Sequence, residues 1–144
     1  MIKLRRAGQV FVMLSTIALK PVPVDRVRLV DAHRRFGSIV QVEVLLQAPG
    51  VYVSAISWQI QLPPGSLYVA QSTVADKTLS CSFARCVLYG GQTRVPNGLL
   101  ATLLVEVPAG ASSRLVISLD SVLGATVDGD ERRLQGSSVR IDSR

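Results

Sequence analysis

A period-two alternation of apolar and polar side chains is the feature that most constrains this chain. Residues 38–46 place valines on one face and polar Gln41 and Glu43 on the other. Residues 51–62 place Trp58 in register with aliphatic side chains, opposite serine and glutamine. Successive side chains of a β-strand point to opposite faces, so each segment is predicted to be a strand with one buried face. Trp58 is accordingly predicted to be a core residue.

The alternation recurs along the chain, with turn residues roughly every ten positions. Further strands are predicted at residues 27–30, 66–74, 99–107, 115–119 and 137–142. Residues 32–36, which include His33, are predicted to form a turn, and residues 120–126 are predicted to be less regular. About nine short strands without a helix after the first twenty residues are typical of an all-β, antiparallel β-sandwich whose two sheets share one core.

The two cysteines, Cys81 and Cys86, lie at the facing ends of two short runs with strand character. Neighbouring strands of a hairpin can bring such residues within the Cα separation of roughly 5.5–6 Å that a disulfide needs. A dithiol oxidoreductase uses a two-residue spacing and a structural zinc needs four ligands, whereas His33 is far away in sequence. The pair is therefore predicted to form a disulfide that pins one hairpin, worth about 2 kcal/mol for so short a loop.

The first twenty residues have the pattern of a secretory signal peptide. Lys3, Arg5 and Arg6 precede a largely apolar run at residues 7–19, which is too short to span a bilayer. The alternative is an amphipathic or β segment of the domain itself. Because disulfides persist outside the cytosol, both features predict a secreted or cell-surface protein. The expected organisation is a leader at 1–20 and a β-sandwich domain at 24–144, without a membrane span in the mature chain.

The net charge is +6, and three of the basic residues lie within the first six positions. The other arginines are scattered along the sequence and often adjoin Asp or Glu. No basic patch with interleaved aromatics is evident in the sequence, so nucleic acid is not an expected partner.

Neither the histidine nor the carboxylates form a recognisable catalytic set. His33 adjoins two arginines, and the acids lie mostly at turns or strand ends rather than as a pair facing one cleft. The chain is therefore predicted not to be an enzyme, and no cofactor is expected. Asp128, Asp130 and Glu131 could supply oxygen ligands for calcium, although a hairpin tip in solvent is the favoured interpretation, because two arginines follow directly.

Five segments in a fixed order carry a resemblance to a known family. They are residues 54–63 (SAISWQIQLP), 76–81 (DKTLSC), 86–90 (CVLYG), 97–102 (NGLLAT) and 138–141 (SVRI), the last preceded by Gly136. They resemble the cohesin-like β-sandwich, a jelly-roll shared by cellulosomal cohesins and by families 2 and 3 of carbohydrate-binding modules. More narrowly, the chain is similar to small secreted cohesin-like proteins of acidobacteria. The match covers residues 26–142 and departs from the pattern at Pro63 and Pro64, where a tyrosine and an aspartate are more usual.

The resemblance implies a non-catalytic module that binds an extracellular protein partner through a sheet face. A carbohydrate-binding module for a polysaccharide and a structural subunit of a surface assembly are the alternatives, because fold alone does not settle function. Sugar binding on a flat sheet would need several exposed aromatics in line, and the candidates are Tyr52, Tyr68, Phe83 and Tyr89. An exposed aliphatic face without such a row would favour a protein partner.

Overall fold

The structure, a computed structural model, describes residues 25–50, 52–91, 93–110 and 114–142. The predicted leader at 1–20 lies outside the described residues. The described residues form ten strands, one more than the predicted nine or so, because a three-residue strand follows the 128–130 turn. The strands are β1 Arg26–Phe36, β2 Ile39–Gln47, β3 Ala55–Gln61, β4 Leu67–Ser72, β5 Thr78–Ser82, β6 Arg85–Tyr89, β7 Gly98–Glu106, β8 Arg114–Ala125, β9 Glu131–Arg133 and β10 Ser138–Asp142.

The strands form two antiparallel sheets, which confirms the predicted β-sandwich. Sheet A has the order β1-β2-β7-β4, and sheet B has the order β10-β8-β3-β6-β5, with β9 paired to β8. Within the described ranges, no helix is long and apolar enough to cross a membrane.

Alternating side chains of both sheets meet in one hydrophobic core. Trp58 on β3 is fully buried, as predicted, and its neighbours Ile56 and Ile60 point inward with it. Sheet A contributes Val42 and Val44 from the segment whose alternation was clearest. The period-two pattern therefore identified the side of each of these strands that faces the core.

Two strands run further than the alternation predicted. The expected turn at residues 32–36 is wrong: β1 continues to Phe36 through a register shift, and His33 has a φ of +56°. The irregular stretch after Asp120 is likewise part of β8, where Ser121 has a φ of +47° and the pairing with β3 shifts. The register shift adds two residues to β1 between Asp31 and Arg35 and one residue to β8 between Asp120 and Leu123. Such irregularities interrupt the side-chain alternation, so a turn or an irregular stretch is predicted instead.

One lateral edge of the sandwich is closed by contacts between the sheets. The Val27 amide donates to the Gln135 carbonyl at 2.8 Å, and the Gln135 amide donates to the Asp25 carbonyl at 3.1 Å. The chain passes β8 so closely at Gly136 that a Cβ there would lie 2.0 Å from the Leu119 carbonyl oxygen. Glycine is required at this position because no side chain fits beside the neighbouring backbone.

Candidate functional site

The cysteine hairpin has the form expected from the sequence. Cys81 on β5 lies opposite Cys86 on β6, and a disulfide joins them with a Cα separation of 4.0 Å. Cys86 is buried in the core, whereas Cys81 is exposed at the sheet edge. The two-residue connection places Phe83 at the tip with a φ of +54° and leaves its side chain 97% exposed. The disulfide thus holds an aromatic side chain in solvent on a short, cross-linked hairpin.

The hairpin forms one side of the outer face of sheet B, the surface turned away from the core. A central row crosses it from β5 through β6 and β3 to β8, in the order Ser80, Val87, Ser57, Leu123. A second row on one side reads Ser82, Arg85, Gln59, Asp120. On the other side of the central row lie Thr78, Tyr89, Ala55 and Ala125. Small and apolar side chains therefore occupy the middle of the face, and charged and amide groups lie along one side.

Hydrogen bonds fix the polar groups of this face. Arg85 Nη2 donates to Ser57 Oγ at 3.0 Å, and Gln61 Nε2 donates to Asp120 Oδ2 at 2.5 Å. Gln59 and Arg85 are exposed, so no other described element covers them. The outer face of sheet B is consequently open to solvent, and hydrogen bonds hold several of its polar side chains in position.

Tyr68 and Phe83 come together at one end of the sandwich. The Tyr68 hydroxyl donates to the Phe83 carbonyl at 2.5 Å and lies 3.6 Å from the Cys86 sulfur. Partial burial raises the pKa of Tyr68 above its ordinary value. Both residues border a groove of about 700 Å³ that Pro63 and Pro64 also line. The Tyr68 ring is half-buried against the core, so Phe83 is the exposed aromatic of this pair.

The other two candidate aromatics lie elsewhere. Tyr52 precedes β3, and the Arg94 guanidinium lies 4.7 Å from the centre of its ring. Tyr89 is the aromatic of the outer face of sheet B and is 45% exposed. The four predicted aromatics therefore do not form a row on one sheet face.

The acidic residues proposed for calcium lie in and beside the β8–β9 turn. Asp128 and Asp130 are in the turn, and Glu131 begins β9. The Asp130 amide donates to Thr126 Oγ1 at 3.1 Å, which is an ordinary turn contact. Across the described ranges, no group of three or more His, Cys, Asp or Glu side chains is arranged to hold a metal ion. Nothing in this geometry adds to the expectation of calcium.

Sequence reasoning missed Lys77, which is only 6% exposed. Its ammonium donates to the carbonyls of Ser54, Gly90 and Thr93 at 3.0, 2.6 and 2.5 Å. The adjacent Asp76 carboxylate accepts a hydrogen bond from the Thr93 hydroxyl, which lowers the pKa of Asp76. A lysine in a polar turn carries no sequence signal of burial, because its acceptors come from two other segments, one before β3 and one between β6 and β7.

Comparisons with known proteins give the fold. No family model matches the sequence, and no curated protein matches it. A cohesin module from a family 33 glycoside hydrolase of Clostridium perfringens superposes with a TM-score of 0.70 at 14% identity, covering 84% of this chain and 97% of that one. A non-cellulosomal cohesin from Archaeoglobus fulgidus gives 0.62 at 15% identity, covering 84% and 93%.

A further similar structure is a type I cohesin–dockerin complex from Clostridium thermocellum. It gives a TM-score of 0.63 at 14% identity and covers 83% of this chain and 99% of that one. Nearly the whole length of each of these modules is matched, so the similarity extends over a complete sandwich rather than a few strands. The described part of this chain therefore has the cohesin-like β-sandwich fold.

Proposed function

We propose that this protein is a non-catalytic binding module that takes a protein partner on the outer face of sheet B. The observation that carries the proposal is the arrangement of that face, with Val87 and Leu123 on either side of Ser57 and charged groups alongside. An apolar centre with a polar rim is the usual anatomy of a protein–protein interface. Similar structures from Acetivibrio cellulolyticus and Clostridium thermocellum are cohesin–dockerin complexes, which supports a protein as the partner.

The dispersal of the aromatics favours a protein over a neutral polysaccharide. Platforms for sugar rings need aromatic side chains in line, whereas Tyr89 is the one candidate on the outer face of sheet B. The structural-subunit alternative has one observation in its favour. Leu67 and Val69 on β4 are 68% and 65% exposed on the outer side of sheet A, which would suit a second contact within an assembly.

Export from the cell is part of the proposal. The exposed position of Cys81 leaves the disulfide open to cytosolic reductants, so the cross-link would be retained in an oxidising compartment. Mass spectrometry after alkylation without reduction tests this step in the protein recovered from culture medium. Two free thiols would contradict it.

Matched valine substitutions test the binding face. The immobilised domain captures partners from the secreted proteins of the source organism, and the captured protein is identified and produced for calorimetry. Val87→Arg places a charge in the middle of the outer face of sheet B and is expected to weaken binding at least thirtyfold, the size of an interface hot spot of about 2 kcal/mol.

Val69→Arg makes the same change on the outer side of sheet A and is expected to leave the Kd within threefold. If Val69→Arg weakened binding and Val87→Arg did not, the partner would bind to sheet A instead. Firm retention of the domain on cellulose, chitin or xylan would show that the ligand is a polysaccharide and would contradict the proposed protein partner.

A further inference from the structure

The fold gathers most of its arginines along one lateral edge. We call this the arginine edge; it comprises Arg26, Arg28, Arg34 and Arg35 on β1, Arg132 and Arg133 on β9, and Arg140 on β10. These are seven of the eleven Lys and Arg residues in the described part of the chain. The opposite lateral edge, formed by β4 and β5, carries no charged residue. The charge of the sandwich is therefore strongly one-sided, although the arginines are scattered in the sequence.

Contacts between β1 and the end of the chain build this edge. Beside the backbone hydrogen bonds of Gln135, the Leu29 amide donates to Ser137 Oγ at 2.8 Å. At the far end, the Arg35 guanidinium donates to the Asp142 carbonyl. The edge is thus a ridge formed by β1 on one side and by β9 and β10 on the other, about a hundred residues apart in sequence, and its arginines project from a fixed backbone.

The strands of the arginine edge carry three carboxylates, Asp31, Glu131 and Asp142, against seven arginines. Asp31 lies 4.0 Å from Arg35 and 3.7 Å from the His33 ring. None of the other six arginines has a described carboxylate within 4 Å. Arg26, for example, is exposed and donates to the Gln47 side-chain oxygen at 3.2 Å. The guanidinium groups are consequently available to an external anion.

We propose that the arginine edge binds a linear acidic polysaccharide through its carboxylate groups. Guanidinium groups present donors that match a carboxylate in a bidentate way and are weakly hydrated, which suits this ligand. β1 has eleven residues and, at about 3.3 Å per residue, is roughly 35 Å long, so the ridge fits several charged units of an extended polymer. This surface is distinct from the outer face proposed for a protein partner.

The shape and composition of the ridge favour a polysaccharide over other polyanions. Single-stranded nucleic acids use aromatic platforms for their bases, and the arginine-bearing strands offer one exposed aromatic, Phe36, at the end of β1. The arginines are also distributed over the two sheets of a narrow ridge rather than over one broad face, which suits a chain more than a membrane surface.

Polygalacturonate is the probe, and its fully methyl-esterified form is the uncharged control. Titration of the full chain at 20 mM salt is expected to show binding to the first polymer alone, with the affinity falling at least tenfold at 300 mM salt as the charges are screened. No binding at 20 mM salt, or equal binding to the ester, would overturn the proposal. Tighter binding to oligo-dT or to phosphatidylserine vesicles would assign the ridge to a different polyanion and would overturn it as well.

Two double variants with the same change in net charge locate the site. Arg28→Gln/Arg133→Gln removes two charges from the ridge and is expected to weaken binding to polygalacturonate at least tenfold. Leu67→Glu/Gln71→Glu adds two negative charges on β4 and is expected to change the Kd less than twofold at 150 mM salt. The reason is that β4 lies three strands from β1, roughly 14 Å at the usual strand spacing, whereas the Debye length is about 8 Å. All four side chains are exposed, and thermal melting checks that both proteins fold. Equal losses of affinity in the two variants would show that binding depends only on the net charge of the protein, and would reject the arginine edge as the site.

Discussion

Lys77 is the one buried charged residue in the described part of the chain, and it links three segments that are not neighbours in sequence. One carbonyl partner precedes β3, and the other two lie in the connection between β6 and β7, while Lys77 itself precedes β5. An ammonium has three donors, so each proton meets one of these acceptors. The side chain therefore holds one end of the sandwich together from within.

Replacing Lys77 by methionine tests this role. Methionine keeps a long apolar stem but leaves the three carbonyls without their donor, so the free energy of unfolding is expected to fall by about 3 kcal/mol. Urea denaturation provides the measurement. Arg34→Met is the control, since Arg34 is exposed and its replacement is expected to change stability by less than about 0.5 kcal/mol. A similar small change for Lys77→Met would show that the three hydrogen bonds contribute little.

At the scale of single elements, the cysteine hairpin gives the clearest prediction. The disulfide closes a loop of few residues, so chain entropy assigns it about 2 kcal/mol of the free energy of unfolding. Reduction leaves every side chain in place and removes only the cross-link, so urea unfolding with and without dithiothreitol should differ by about that amount. In Cys81→Ala/Cys86→Ala the reductant should have no effect. A loss near zero in the wild type would mean that strand pairing alone holds the hairpin.

The same elements show what local pattern can and cannot predict. β2 and β3 were predicted because, in a regular strand, the sequence position of a residue determines whether its side chain points to the core or to the solvent. The irregularities at His33 and Ser121 were missed, since the residues added there, two in β1 and one in β8, interrupt the alternation without any diagnostic residue type. Glycine would have signalled a positive φ at these positions, whereas serine does not, and the enrichment of histidine at positive φ is too small to mark a single position.

For the whole molecule, the sequence predicted the fold class but not the surfaces. The number of strands and their turns are local properties, and together they indicate a sandwich. The closure of β1 against β10 is a property of the complete topology, and that closure turns scattered arginines into one charged ridge. The same holds for the aromatics: their separation onto different surfaces depends on which strands are neighbours. The local sequence pattern identifies these residues, but it does not predict which of them lie close together in the folded protein.

The packing of both sheets around Trp58 predicts a single cooperative unfolding transition. Trp58 is the only tryptophan of the chain and is fully buried, so its fluorescence reports exposure of the common core. Its indole nitrogen makes no hydrogen bond to a described residue, so the signal depends on packing rather than on one polar contact. Fluorescence and far-ultraviolet circular dichroism are expected to give the same urea midpoint. Refolding is expected to take milliseconds to seconds, because most contacts of a sandwich are non-local. Trp58→Phe is the control, because it removes the tryptophan fluorescence on which the measurement depends. Two separate midpoints in the wild type would mean that the sheets unfold independently.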